Sequence, residues 1–155
     1  MTKTLLLVAL ALATPTPAQH QHQTSHDRAN QGMGFDQQKT THHFLLQEAG
    51  GTIEVTAKDA GDKASTDQIR RHLRHIASAF AAGDFSLPMF IHDTTPPGVA
   101  VMKARREQMT MRYEDIGHGG KVVIHTADPA ARDAVYEFLR FQIREHKTGD
   151  PLAPR

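Results

Sequence analysis

Two stretches of this chain follow one pattern, and that pattern restricts what it can fold into. Residues 44–84 contain FLLQEAGGTIEVTAKD and, after a linker, IRRHLRHIASAFAAGD; residues 113–150 contain YEDIGHGGKVVIHTAD and then VYEFLRFQIREHKTGD. Each stretch reads as a strand, a Gly-Gly turn, a second strand, a helix and a closing Gly-Asp. In the first, Thr41–Gln47 is apolar and β-prone, Ala49-Gly50-Gly51 is a turn, and Ile53, Val55 and Ala57 alternate onto one face. Ser65-Thr66-Asp67 offers a helix cap, and Ile69, Leu73, Ile76 and Phe80 recur at helical spacing before Gly83. In the second, Met109–Ile116 and Lys121–Thr126 flank the turn 117–120. Asp128 caps a helix with Pro129 at its first position, which Gly149 stops. Between them, 85–108 is a Pro- and Gly-containing connector that is irregular to Val99 and then forms a short helix. The predicted architecture is α+β: an internally duplicated ββα-ββα domain over 35–150, with repeats at 41–84 and 109–150. Its four-stranded antiparallel sheet carries two helices packed on one face, and 151–155 form a tail.

At 155 residues the chain suffices for one domain with a core, and its formal charge of +1 gives no field to attract nucleic acid, which is not expected as a partner. Lys3 precedes an apolar run, Leu5–Ala13, that is too short to cross a bilayer and leads into the small residues Thr14–Ala18. The expectation is a cleaved signal peptide over 1–18, export to the periplasm or outside the cell, and no stable membrane insertion after cleavage. Residues 19–34, QHQHQTSHDRANQGMG, hold too little apolar surface to offset ordering and read as a flexible leader. His20, His22 and His26 in it have the composition of a loose metal-capturing tract. With no cysteine the chain forms no disulfide and offers no thiol nucleophile or thiolate ligand.

Aligning the two helices on their Gly-Asp ends superimposes His72 on Phe138 and His75 on Phe141. At about 100° per residue, His72 borders the apolar stripe and His75 follows on the same flank. Large apolar groups on the matching flank of the second helix predict that this flank is covered in both. An HxxH pair puts two imidazoles on neighbouring turns, in reach of one ion. Further ligand types stand in His42-His43, in Met89-Phe-Ile-His92 of the connector, and in Met102, Met109 and Met111. Imidazole and thioether without thiolate suit copper better than structural zinc or a hard cation. The expected ligand set is His43, His72, His75, Met89 and His92, with His42 and Met102 in reserve. Neighbouring strand residues point to opposite faces, so at most one of His42 and His43 belongs to a helix-side site. The alternative is haem or another small molecule in the same flank pocket, with His72 or His75 axial and Phe138 and Phe141 as walls. A metal-dependent enzyme is a third reading. No Gly-x-Ser-x-Gly elbow, phosphate loop or His-Glu-x-x-His helix is present. Val123 and His125 with Glu54 and Thr56 mark an open sheet face suited to a homodimer, and His118 in its turn reads as solvated.

The runs GMGFDQQKTTHHFLL, PMFIHDTTPPGV and FLRFQIREHKTGD, within Gly32–Asp150, resemble a group of short exported bacterial proteins. Some of that group bear the name aspartate carbamoyltransferase, which implies a Ser-Thr-Arg-Thr carbamoyl-phosphate loop in a much longer catalytic chain, or zinc-binding cysteines in a regulatory one. This chain has neither feature, so the resemblance brings no catalytic residue with it.

Overall fold

The computed structural model describes residues 28–155; the expected signal peptide and most of the leader lie outside the described residues. A short helix, α1, covers 28–33. It is followed by β1 (Thr40–Gln47), β2 (Gly50–Ala57), α2 (Lys63–Ala81), α3 (Ser86–His92), α4 (Val99–Ala104), β3 (Met109–Ile116), β4 (Gly119–Thr126) and α5 (Pro129–His146). The class is α+β with a four-stranded antiparallel sheet, in the order β1-β2-β4-β3. No described helix is long and apolar enough to cross a membrane.

Local chemistry accounts for the element ends and for the departures from expectation. The cap of α2 is Asp62, whose carboxylate accepts from Ser65 N at 3.0 Å, so the helix starts earlier than Ser65-Thr66-Asp67 suggested. α5 begins as read, with Asp128 accepting from Ala131 N and Pro129 at the first position. It ends at Lys147, in the left-handed region at φ 52, before Gly149 is reached. The connector is more regular than its prolines implied: Pro88 sits inside the first turn of α3, where its missing N–H costs nothing. Residues 28–34, expected to belong to the leader, join the fold instead, because α1 buries Ala29 and Met33 and the turn at Gly34 delivers Phe35 into the core.

The two hairpins meet along β2 and β4. Gly50 and Gly51 lie opposite His125 and Ile124, while Gly119 and Gly120 lie opposite Thr56 and Val55 at the other end of the same ladder. A Cβ on Gly50 would collide with the carbonyl oxygen of Ile124, and one on Gly119 with that of Val55. Close backbone approach at both ends therefore requires glycine. The covered face carries Phe44, Leu46, Ile53, Val55, Val122 and Ile124, all buried. Each helix crosses to the other hairpin: α2 lies over β3 and β4, and α5 over β1 and β2. The helices meet through Phe80 and Phe138, ring centres 5.7 Å apart and edge to face, with Phe85 stacked on Phe80 at 4.5 Å. Leu45, Glu54, Thr56, Lys121 and Val123 make a half-exposed, mixed opposite face.

Gly119→Ala should cost about 1–3 kcal/mol of stability in urea denaturation. Gly149→Ala, with nothing within 4 Å of its added Cβ, should lose only the smaller cost of its φ of 76°. Equal losses for the two would contradict the close β2–β4 approach.

Candidate functional site

Beneath α3, between α2, α5 and the covered face of the sheet, lies a cavity of about 60 Å³. Its walls are apolar, from Phe44, Ile53, Val55, Leu73, Ile76, Phe80 and Phe138, with Met33 of α1 and Leu87, Pro88 and Ile91 of α3. Four imidazoles line it, each from a different element: His42 from β1, His72 from α2, His92 from the end of α3 and His146 from the end of α5. Strand parity puts His42 on the side of Phe44 and Leu46, facing the helices. His146 follows Phe138 and Gln142 at four-residue intervals, so the three form one stripe of α5 directed at the cavity.

The imidazoles form a chain. Ring centres of His42 and His146 are 5.4 Å apart, and those of His146 and His92 are 5.3 Å apart. Phe35 stacks on His42 at 5.8 Å and meets His72 edge-on at 5.3 Å, closing the row on the α2 side. Nε2 of His92 lies 3.0 Å from Oε1 of the buried Gln142. Because a carboxamide oxygen only accepts, the proton of neutral His92 is on Nε2 and its lone pair on Nδ1. Nδ1 stands 3.9 Å from the exposed Glu145 carboxylate, too far to bond. Two buried polar atoms around the cavity have no hydrogen-bond partner, Nε2 of His42 and Nε2 of Gln142.

Burial holds these groups neutral. It pushes His42 down from the ordinary 6.5 to about 4, with the neighbouring charge of His43 adding to the effect. His72 falls to about 4 through burial, then through His42 and His75. His146 falls to about 3 through burial, then through His42 and His92. His92 is lowered by burial, against the opposing pull of its Gln142 hydrogen bond and of Glu145. Neutral imidazoles keep a nitrogen lone pair at pH 7, the form that binds a metal without first losing a proton. Among the described residues no group of three or more His, Cys, Asp or Glu is arranged to hold a metal ion as it stands.

The structure brings together only part of the residues singled out in the sequence. His72, His92 and the reserve residue His42 line the cavity, and Phe138 is in its wall. His43 is on the opposite face, with Nδ1 at 2.9 Å from Asp150 Oδ1. The second oxygen of that carboxylate accepts from Phe44 N and Thr148 Oγ1, tying the C-terminal segment to the edge of β1. His75 is exposed, because it lies one further step around α2 than the covered flank reaches. Met89 is 40% exposed on the outer side of α3, since the first turn of that helix presents Leu87 and Pro88 inward. Met102 is fully buried in the core under α4 and does not reach the cavity. Phe141 packs edge-on against His92 at 5.1 Å without lining the cavity. His125 is exposed and His118 half-exposed. Sequence reasoning missed His146, although its spacing from Phe138 was visible. It also missed Met33 and Gln142.

No family model matches this chain, and no curated protein or solved structure matches it.

The lowered imidazole values predict acid sensitivity of the metal-free chain. Above pH 6.5 folded and unfolded forms are both neutral and stability is complete. Between 6.5 and about 4 the unfolded chain takes up protons that the folded one refuses at His42 and His72, so stability falls with pH. Each group contributes at most about 1.4 kcal/mol per pH unit across that window. Urea denaturation in chelator from pH 7.5 to 5.5 checks this above most of the range in which carboxylates titrate; a flat profile would contradict buried, neutral imidazoles.

Proposed function

We propose that this chain is an exported metal-binding protein whose ion is copper, held by the imidazoles around the α2–α5 cavity. The observation that supports this reading is the meeting of four desolvated imidazoles, each carried by a different element, on one small cavity lined also by Met33. Burying His42, His72 and His146 without ionic partners, and His92 with only the exposed Glu145 nearby, costs stability, and an ion bound only by the folded state would offset that cost. Two imidazoles bonded to one tetrahedral ion at about 2.0–2.1 Å have ring centres about 5 Å apart. The separations of 5.4 Å for His42–His146 and 5.3 Å for His146–His92 are close to that, so each of these two pairs has the spacing of two imidazoles that share an ion. The bond from His92 to Gln142 has the form of the outer contact that orients a metal-ligating histidine.

The donor set favours copper among ions. Nitrogen with thioether, and neither thiolate nor carboxylate in the cavity wall, matches a borderline-to-soft ion. Haem, the alternative ligand, needs far more room than about 60 Å³, since pockets for organic ligands run to about 300–1,000 Å³. The exported location rests on the N-terminal apolar run.

The test is titration of the metal-free full chain with copper and zinc against a chromophoric chelator. Leader histidines are removed as His20→Gln, His22→Gln and His26→Gln so that loose capture does not contribute. One tightly held copper per chain is expected, with zinc held less well. His146→Phe and His42→Phe should each weaken copper binding at least about tenfold, the lower end of the range seen even for outer-contact losses. His75→Phe and Met89→Leu should leave it unchanged. Absence of copper uptake by the folded chain would sink the proposal, and loss of binding in His75→Phe alone would move the site to the outer flank of α2.

A further inference from the structure

On the side of the sheet away from α2 and α5, strand parity and register set the side chains in rows that cross all four strands. From β1 to β3 one row reads His43, Glu54, Lys121, Glu114, and the next reads Leu45, Thr52, Val123, Arg112. Glu54 and Lys121 stand on the two central strands and are half-exposed, as are the apolar Leu45 and Val123 beside them. Lys121 Nζ lies 3.1 Å from Glu114 Oε2, so it is turned toward β3, and Glu54 has no ion-pair partner among the described residues. His43, at the outer end of the row, is held by Asp150.

This surface is complementary to itself about one axis. With a twofold axis along the strands, between β2 and β4, each row faces its own reverse: Glu54 meets Lys121 of a second copy, Lys121 meets Glu54 of that copy, and Thr52 and Val123 oppose each other. An axis across the strands would set one row against the other, with Lys121 over Val123 and Glu54 over Thr52, and both charges would lose water without meeting a counter-charge. Sheets packed face to face cross at about 30°, a rotation that displaces the outer strands most and leaves the central pairs opposed. Four strands of eight residues, about 4.8 Å apart and rising about 3.3 Å per residue, cover about 500 Å² per copy, so two faces bury about 1,000 Å², the lower bound for a specific interface. We propose that this chain self-associates as a twofold dimer through the open face of its sheet, with Glu54 of each copy paired to Lys121 of the other. An interface of this size belongs to a dimer that dissociates on dilution, and the charge pairs fix its axis more than they add affinity. The cavity is on the other side of the sheet, so the dimer is independent of the copper reading.

The test is sedimentation equilibrium of the full chain in chelator, which keeps the leader histidines from bridging copies through metal, from about 1 μM to about 1 mM, the span of weak dissociation constants. A reversible monomer–dimer equilibrium is expected. Glu54→Lys and Lys121→Glu should each weaken it at least about tenfold, because each sets like charges against each other twice at the centre. Mixing the two variants should restore association, since the basic centre of one meets the acidic centre of the other. Repulsion between neighbouring strands within one chain is not relieved by mixing, so restoration reports contact between copies. A chain that stays monomeric throughout overturns the proposal, as does a dimer that neither folded variant weakens or that mixing does not restore. Should a variant fail to fold, carbodiimide coupling of 15N-labelled with unlabelled unaltered chain decides the pairing. A Glu54–Lys121 link between peptides of unlike labelling is expected, and its absence at concentrations where the chain is dimeric overturns the proposal.

Discussion

The close approach of β2 to β4 is the constraint on which the rest of the fold depends. Gly50 and Gly119 sit where any side chain would strike the carbonyl oxygen of the facing strand, so two hairpins can join into one sheet only because both positions are empty. That ladder places Ile53 beside Val122, and it puts the covered faces of both hairpins on one side. With the hairpins joined, α2 reaches over β3 and β4, and α5 over β1 and β2. A helix that crosses to the opposite hairpin ties the two halves together by burial as well as by the ladder, and the Phe80–Phe138 contact is where the two crossings meet.

The cavity is a consequence of that crossing. It lies beside the contact of Phe80 with Phe138, and α3 and α1 close it from above. Because the surrounding surface is aliphatic and aromatic, an imidazole placed there loses water while gaining little counter-charge, only the exposed Glu145 beside His92, which explains why burial is the leading cause of every lowered histidine in the group. Such a cluster costs the fold stability in acid and supplies uncharged nitrogen donors near neutral pH.

Much of the fold was legible in the linear pattern. Alternation of Ile53, Val55 and Ala57, helical spacing of Ile69, Leu73, Ile76 and Phe80, and the Asp128-Pro129 start of α5 are local signals, and local chemistry decided those elements. The α2 cap was misplaced by a few residues because Asp62 and the Ser65-Thr66-Asp67 cluster are both good caps, and only the hydrogen bond to Ser65 N separates them. The site was half legible. His72 and His92 were identified, while His43 and His75 point elsewhere: parity along β1 and rotation about α2 permit either orientation until neighbouring elements are in place. His146 was overlooked because its four-residue spacing from Phe138 and Gln142 puts it on the stripe, yet it lies in the charged last turn of the helix, where the stripe can end before the cavity or close it.

By itself, the sequence determined the element types, the α+β class, the absence of thiol chemistry and the supply of imidazole and thioether groups. These follow from side-chain chemistry and from periodicity, which act over a few residues. Tertiary structure alone decided the order β1-β2-β4-β3, the crossing of each helix to the other hairpin and the meeting of His42, His72, His92 and His146. Those four residues are spread over more than a hundred positions of the chain, and what joins them is the packing of apolar faces, a force without direction along the chain that becomes specific only when shapes such as the glycine gaps at 50 and 119 admit one arrangement.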